Sequence, residues 1–147
     1  MTAEHSDGNE HQLVAILRQS PSYVPSLSLV AHNGEQLVGH VLLTEAKVGD
    51  QIVLALAPLA ILPSWQGKGV GTLLVEEAHH RASKLGYQTL VVLGDPAYYG
   101  RFGYYPASQI GILAPFEAPD DYFMAKSLDS ENCHYEGVIQ YDSAFGI

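Results

Sequence analysis

The chain is 147 residues long and 47% hydrophobic, with a net charge of −9 from seven Lys and Arg against sixteen Asp and Glu. This length suits one domain around a single hydrophobic core. The acidic balance excludes a broad basic face for nucleic acid or for an anionic membrane surface.

No apolar run approaches the ~20 residues of a bilayer span, and the polar, acidic start does not read as a secretory signal. Residues 1–11 read as a polar tail and residues 12–147 as one domain. Leu13, Ile16 and Leu17 recur at helical spacing, which predicts a short amphipathic helix over residues 10–19, broken at 20–25. Residues 27–31 and 36–44 are strand-like, with Asn33-Gly34 a strong hairpin signal between them. Gly49-Asp50 turns the chain into a third apolar strand over 51–62, so an antiparallel meander is expected. A helix follows over residues 69–85. Leu74, Ala78, Ala82 and Leu85 share one face of it, charged residues populate the other, and Gly86 ends it. Glu77 and Arg81 are spaced for an i,i+4 pair. A buried-type strand over 88–93 makes strand, helix and strand a parallel crossover. A short helix over 96–102 and two late strands, 122–128 and 137–141, complete the pattern. The single cysteine, Cys133, forms no internal disulfide and fits a reducing, cytoplasmic setting.

The most informative stretch joins the third strand to the long helix: Gln66-Gly67-Lys68-Gly69-Val70-Gly71-Thr72. Glycines at alternate positions let the backbone approach a ligand closely and aim several N–H groups the same way. The first turn of the helix behind them carries unpaired N–H groups and the positive end of the helix dipole, which favours an anion such as phosphate. Lys68 within the turn would suit a phosphate, and would equally suit an exposed loop. A P-loop is excluded because Gly69, not Ser or Thr, follows Lys68, and Thr72 comes too late to serve magnesium. A dinucleotide fingerprint is excluded because neither glycine frame places its third glycine correctly.

The pattern Gln/Arg-x-x-Gly-x-Gly/Ala, read here from Gln66 to Gly71, resembles the pyrophosphate-binding motif of the GNAT N-acetyltransferase superfamily. Tyr99-Gly100-Arg101-Phe102-Gly103-Tyr104 resembles that superfamily's Tyr-x-x-x-Gly-aromatic signature, in the right order and at the right spacing. The wording around both motifs is similar to the YhbS-like branch, and the resemblance covers roughly residues 27–145. It implies an α/β fold: a twisted mixed sheet with flanking helices, splayed between its two middle strands. It also implies acetyl-CoA as cosubstrate, with no metal.

By this resemblance the pantetheine arm of CoA enters the splay and pairs with Ala60, Ile61 and Leu62. Backbone N–H groups near residues 59–61 would polarise the thioester carbonyl. The pyrophosphate would lie on the turn formed by Gly67, Lys68, Gly69, Val70, Gly71 and Thr72, with Gln66 orienting the turn or touching a phosphate oxygen. Tyr99 aligns with the general acid that protonates the departing thiolate, a task suited to a phenol with a pKa near 10. Tyr98 stands at a usually aliphatic position. Adjacent helical residues face about 100° apart, so only Tyr99 is expected to reach the sulfur. Glu45, His40 and Asp95 are candidate bases at strand ends. Their plainer readings are a surface carboxylate, a solvated strand histidine and a helix cap. Adjacent His79 and His80 diverge on a helix, which argues against a metal pair.

The chain departs from the superfamily in two places. Only eleven largely polar residues precede the segment that starts near Gln12, so the superfamily's usual first strand is expected to be missing or replaced. That leaves a sheet edge exposed, and either a homodimer across it or a truncated, less stable product is expected. Gly94-Asp95-Pro96 also stands where an Asn is often found. The expected function is an acetyl-CoA-dependent N-acetyltransferase acting on a primary amine of a small molecule or peptide in a ternary complex. The alternative is a non-catalytic acyl-CoA-binding or regulatory module of the same fold. No nucleic acid or membrane partner is expected.

Overall fold

The computed structural model describes residues 23–128 and 134–141. The predicted helix over 10–19, the polar tail and Cys133 lie outside the described residues. Three long strands, β1 (Tyr23–Asn33), β2 (Gln36–Val48) and β3 (Gln51–Ile61), form the expected antiparallel meander. Both hairpins close through two residues with glycine first, Gly34-Glu35 and Gly49-Asp50, where a type II′ turn needs a positive φ. β1 starts earlier than predicted and contains Pro25. Among the described residues β1 pairs with β2 only, and an edge position tolerates a proline that cannot donate to a ladder.

After the meander comes α1 (Val70–Lys84), then β4 (Thr89–Leu93), α2 (Pro96–Tyr99), β5 (Tyr105–Pro106), β6 (Ile112–Leu113), β7 (Phe123–Ser127) and β8 (Gly137–Gln140). The strand order is β5-β7-β4-β3-β2-β8-β6, with β1 alongside β2. The two late strands separate. β7 pairs antiparallel along the whole of β4, while β8 joins the far end of β2. Among the described residues no helix is long and apolar enough to cross a membrane.

α1 buries Val70, Leu74, Val75, Ala78 and Ala82 against one face of the meander, where Leu27, Val41, Leu43 and Leu54 meet them. The other face carries a second core built on Val53, Val91, Ile112, Phe123 and Ile139. α1 ends as predicted. Tyr87 N–H donates to the Ala82 carbonyl and Gly86 N–H to the Ser83 carbonyl, both at 3.1 Å, which completes a Schellman motif. Leu85, expected on the apolar face, is the C-cap residue and is exposed. The Glu77–Arg81 pair forms at 2.9 Å on the solvent side.

One reading is overturned here. His40 is not a solvated strand histidine: it is 3% exposed. Alternation along β2 suggests one wet face, but β2 sits between β1 and β3, and every residue from Val38 to Thr44 is buried. Periodicity reports which face a side chain takes, not whether that face is covered.

Candidate active site

The site is built where the central strands part. β3 and β4 run parallel and pair at Leu54↔Leu90 and Ala55↔Val91; no β4 pairing follows as β3 continues to Ile61. β4 instead follows β7 to its end. On its other side β3 pairs Leu56 with Leu43, then Leu59 with Val41, so β3 spends one extra residue there. This bulge falls at Ala57-Pro58, where proline has no N–H for a ladder. A proline in mid-strand was the sequence signal for the bulge, and the strand reading over 51–62 passed over it.

The glycine turn closes one end of this gap. Trp65 N–H donates to the Leu62 carbonyl at 2.8 Å, starting a short turn. The Gln66 side-chain amide reaches back to the Ile61 carbonyl at 3.3 Å and ties the turn to β3. Gly69, at φ +87°, is the N-cap of α1, and Leu73 N–H makes the first helical bond to its carbonyl. The N–H groups of Val70, Gly71 and Thr72 therefore have no acceptor within the helix. The first turn contains no acidic residue and no side-chain cap. Positive potential is left uncompensated at this end of α1.

The facing wall comes from α2. Asp95 caps it, accepting from Ala97 N–H at 2.9 Å. Tyr98 extends across to the turn, and a Cβ at Gly71 would collide with its hydroxyl. Tyr99 lies under Gly94, whose missing side chain leaves room for the ring. The open cleft between these walls has a volume of about 560 Å³, within the usual range for ligand sites.

Of the predicted binding residues, Ile61, Gln66, Gly67, Gly69, Gly71 and Thr72 line this cleft together with Tyr99. Ala60, Leu62 and Val70 have buried side chains and can offer only main chain. The predicted pairing at Leu62 does not hold, because its N–H donates to the Val38 carbonyl at 2.9 Å and its carbonyl accepts from Trp65. Lys68 is exposed, its ammonium 5.3 Å from the Trp65 ring centroid. Tyr98 and Arg101 also line the cleft. Both tyrosines of α2 thus reach it, although one was expected to. Arg101 lies inside the tyrosine motif, and that position two residues after Tyr99 is its signal in the sequence. Among the candidate bases only Asp95 lines the cleft, and its carboxylate is engaged as a cap. Glu45 stands opposite Leu54, where the sheet is still closed, and accepts a 2.5 Å hydrogen bond from Tyr87.

An aromatic cluster fixes Tyr99. Its ring meets Tyr98 edge-on at 5.0 Å and Tyr104 at 5.7 Å. Burial, with a smaller contribution from Tyr98, pushes the Tyr99 hydroxyl up to about 12. The phenol is therefore protonated throughout the neutral range. Behind it, Tyr104 is pushed up by burial and lies 2.7 Å from Nε2 of His79. Burial, assisted by Lys126, lowers His79 to about 4. The neutral ring can accept the Tyr104 proton, while His80 next to it is exposed.

His79 makes stability pH-dependent. Between pH 6.5 and about 4 the unfolded chain binds a proton at His79 that the folded chain does not. Its contribution is complete above 6.5 and is lost as pH falls toward 4. The ring is partly solvated, so the loss is on the order of 1–2 kcal/mol. Thermal melts at pH 7 and pH 5 should show a smaller drop for His79→Gln than for the wild type; equal drops would refute this origin.

Comparison with known proteins gives the family. Residues 25–106 match the family profile described as acetyltransferase (GNAT) domain. The chain is 36% identical over 139 residues to a protein named uncharacterized N-acetyltransferase YjhQ, from Escherichia coli K12, covering 89% of this chain and 77% of that one. It is 30% identical to the similarly named YhbS of the same organism, covering 82% and 74%. The crystal structure of the Escherichia coli GNAT family N-acetyltransferase YhbS in complex with CoA matches at a TM-score of 0.86 and 29% identity, covering 95% of this chain and 78% of that one. A GNAT family acetyltransferase from Brucella melitensis in complex with acetyl-CoA matches at 0.74 and 29% identity, covering 93% and 78%. This chain belongs to the GNAT acetyltransferase family.

Proposed function

We propose that the protein transfers an acetyl group from acetyl-CoA to a primary amine of a small molecule or peptide, directly within a ternary complex. One observation carries the reading. A single cleft is lined by the unpaired edge of β3, the first turn of α1 with its unsatisfied N–H groups, and a tyrosine that stays protonated at neutral pH. The residues fit the cosubstrate on their own terms. A glycine turn without carboxylates suits a diphosphate. A strand edge without a partner suits an amide-bearing arm that adds as a further strand. Two similar structures were solved in complex with CoA and with acetyl-CoA, which supports the choice of cosubstrate.

Acetyl-CoA would supply an activated acetyl group. The N–H groups of Val70, Gly71 and Thr72 would hold the diphosphate, and the main-chain N–H groups of Leu59 and Ile61, on the side of β3 away from β2, would stabilise charge developing on the acetyl oxygen. As the amine nitrogen bonds to the acetyl carbon and the carbon–sulfur bond breaks, Tyr99 would give its proton to the leaving sulfur. The desolvation that raises this phenol would also raise a thiolate expelled beside it, so donor and acceptor stay matched. The amine would lose its proton to water in the cleft, since Asp95 is engaged and Glu45 lies elsewhere. A net charge of −9 favours a cationic acceptor.

The test combines calorimetry with CoA and a thiol-release assay over a panel of primary amines. Affinity of roughly 1–100 µM is expected, with thiol released only when an amine is present. Thiol release without any amine would overturn direct transfer. CoA binding without transfer to any amine would leave a non-catalytic binding module.

A further inference from the structure

We propose that Arg101 is the cation that holds the diphosphate of the cosubstrate, closing the anion site from the α2 side. The assignment rests on the acetyl-CoA reading above. The N–H groups of the first turn of α1 supply only partial charge, whereas a diphosphate brings full negative charge into a cleft of an already acidic protein. Lys68, the basic residue of the turn itself, is turned onto Trp65 and is not part of the cleft lining. Arg101 lines the cleft. Its Nη2 donates to the Thr72 hydroxyl at 3.3 Å, and Thr72 is the third residue of α1. The full charge therefore stands beside the same unsatisfied N–H groups.

The guanidinium is held in place before any ligand arrives. Nε donates to the Tyr98 carbonyl at 3.3 Å, and the group lies over the Tyr98 ring at 4.7 Å and the Phe102 ring at 5.2 Å. Among the described residues it makes no ion pair with a carboxylate, in contrast to Arg81 with Glu77. Two anchoring hydrogen bonds leave three of its five N–H donors for a ligand. A planar fork with free donors matches phosphate oxygens in pairs, which a lysine in the same place could not do. The tyrosine at position 98 gains a purpose here, since an aliphatic side chain could not support the cation from below.

The test is calorimetric titration of wild type, Arg101→Gln and Arg101→Lys with CoA and with 3′-dephospho-CoA, repeated at several salt concentrations. Arg101→Gln is expected to weaken both ligands about tenfold, to an equal extent, and to make the dependence of affinity on salt shallower. Arg101→Lys should recover part of the loss, because the charge remains and the paired geometry does not. Loss confined to CoA would move Arg101 to the 3′-phosphate and overturn the assignment. Weakening with an unchanged salt dependence would make Arg101 a support for α2 only, and would also overturn it. If wild type fails to bind CoA the acetyl-CoA reading itself falls; if wild type binds and Arg101→Gln binds equally well, only this assignment falls.

Discussion

Tyr99→Phe is expected to lower turnover by about 10²–10³-fold while CoA affinity changes by less than about twofold. The split follows from how the ring is held. Tyr99 is placed by packing under Gly94 and between the edges of Tyr98 and Tyr104, contacts that phenylalanine keeps. What is lost is the hydroxyl, which is protonated at every neutral pH and so is a donor rather than a base. In the proposed reaction that donor acts only as the carbon–sulfur bond breaks, and removing such an interaction lowers kcat without weakening ground-state binding. Tyr98→Phe is the comparison that gives the result meaning, because both tyrosines line the cleft. Steady-state kinetics on the two variants assign the acid. Full activity in Tyr99→Phe with a collapse in Tyr98→Phe would transfer the role to the neighbouring residue.

Gly69→Val is expected to weaken CoA binding by roughly 100-fold or more while the protein remains folded. Gly69 sits at φ +87° as the N-cap of α1, and a β-branched residue there is strained by on the order of 1–3 kcal/mol. An added Cβ meets nothing within 4 Å, so the fold has space for the side chain. That space is the cleft itself, since Gly69 is part of its lining. The strain lowers stability modestly; the loss of backbone approach removes the anion site. Gly69→Ala separates the two, carrying similar strain with less bulk, and should fall between wild type and Gly69→Val. Thermal melts and CoA calorimetry on the same preparations measure both effects. A folded Gly69→Val protein that binds CoA normally would remove the glycine turn as the phosphate site.

Features that depend on residues close together in the chain are legible without any fold. The two hairpins, the Schellman end of α1 at Gly86, the Asp95 cap and the Glu77–Arg81 pair each span a few residues, so local chemistry specifies them. The glycine turn belongs to the same class, because strand, glycines and helix N-terminus are contiguous. The remaining features depend on segments that meet only in the folded chain. His40 is buried because both faces of β2 are covered, which alternation along one strand does not encode. β7 and β8 lie on opposite sides of the central strands because the choice of partner is made between segments far apart in sequence. Arg101 reaches Thr72 across 29 positions, and the Tyr98 hydroxyl fills the space beside Gly71, only once β4 has carried α2 to the mouth of the splay. Short-range hydrogen bonding and glycine backbone preference can be read from a string of residues; burial and long-range contact arise only when every layer of the sheet has found its neighbour.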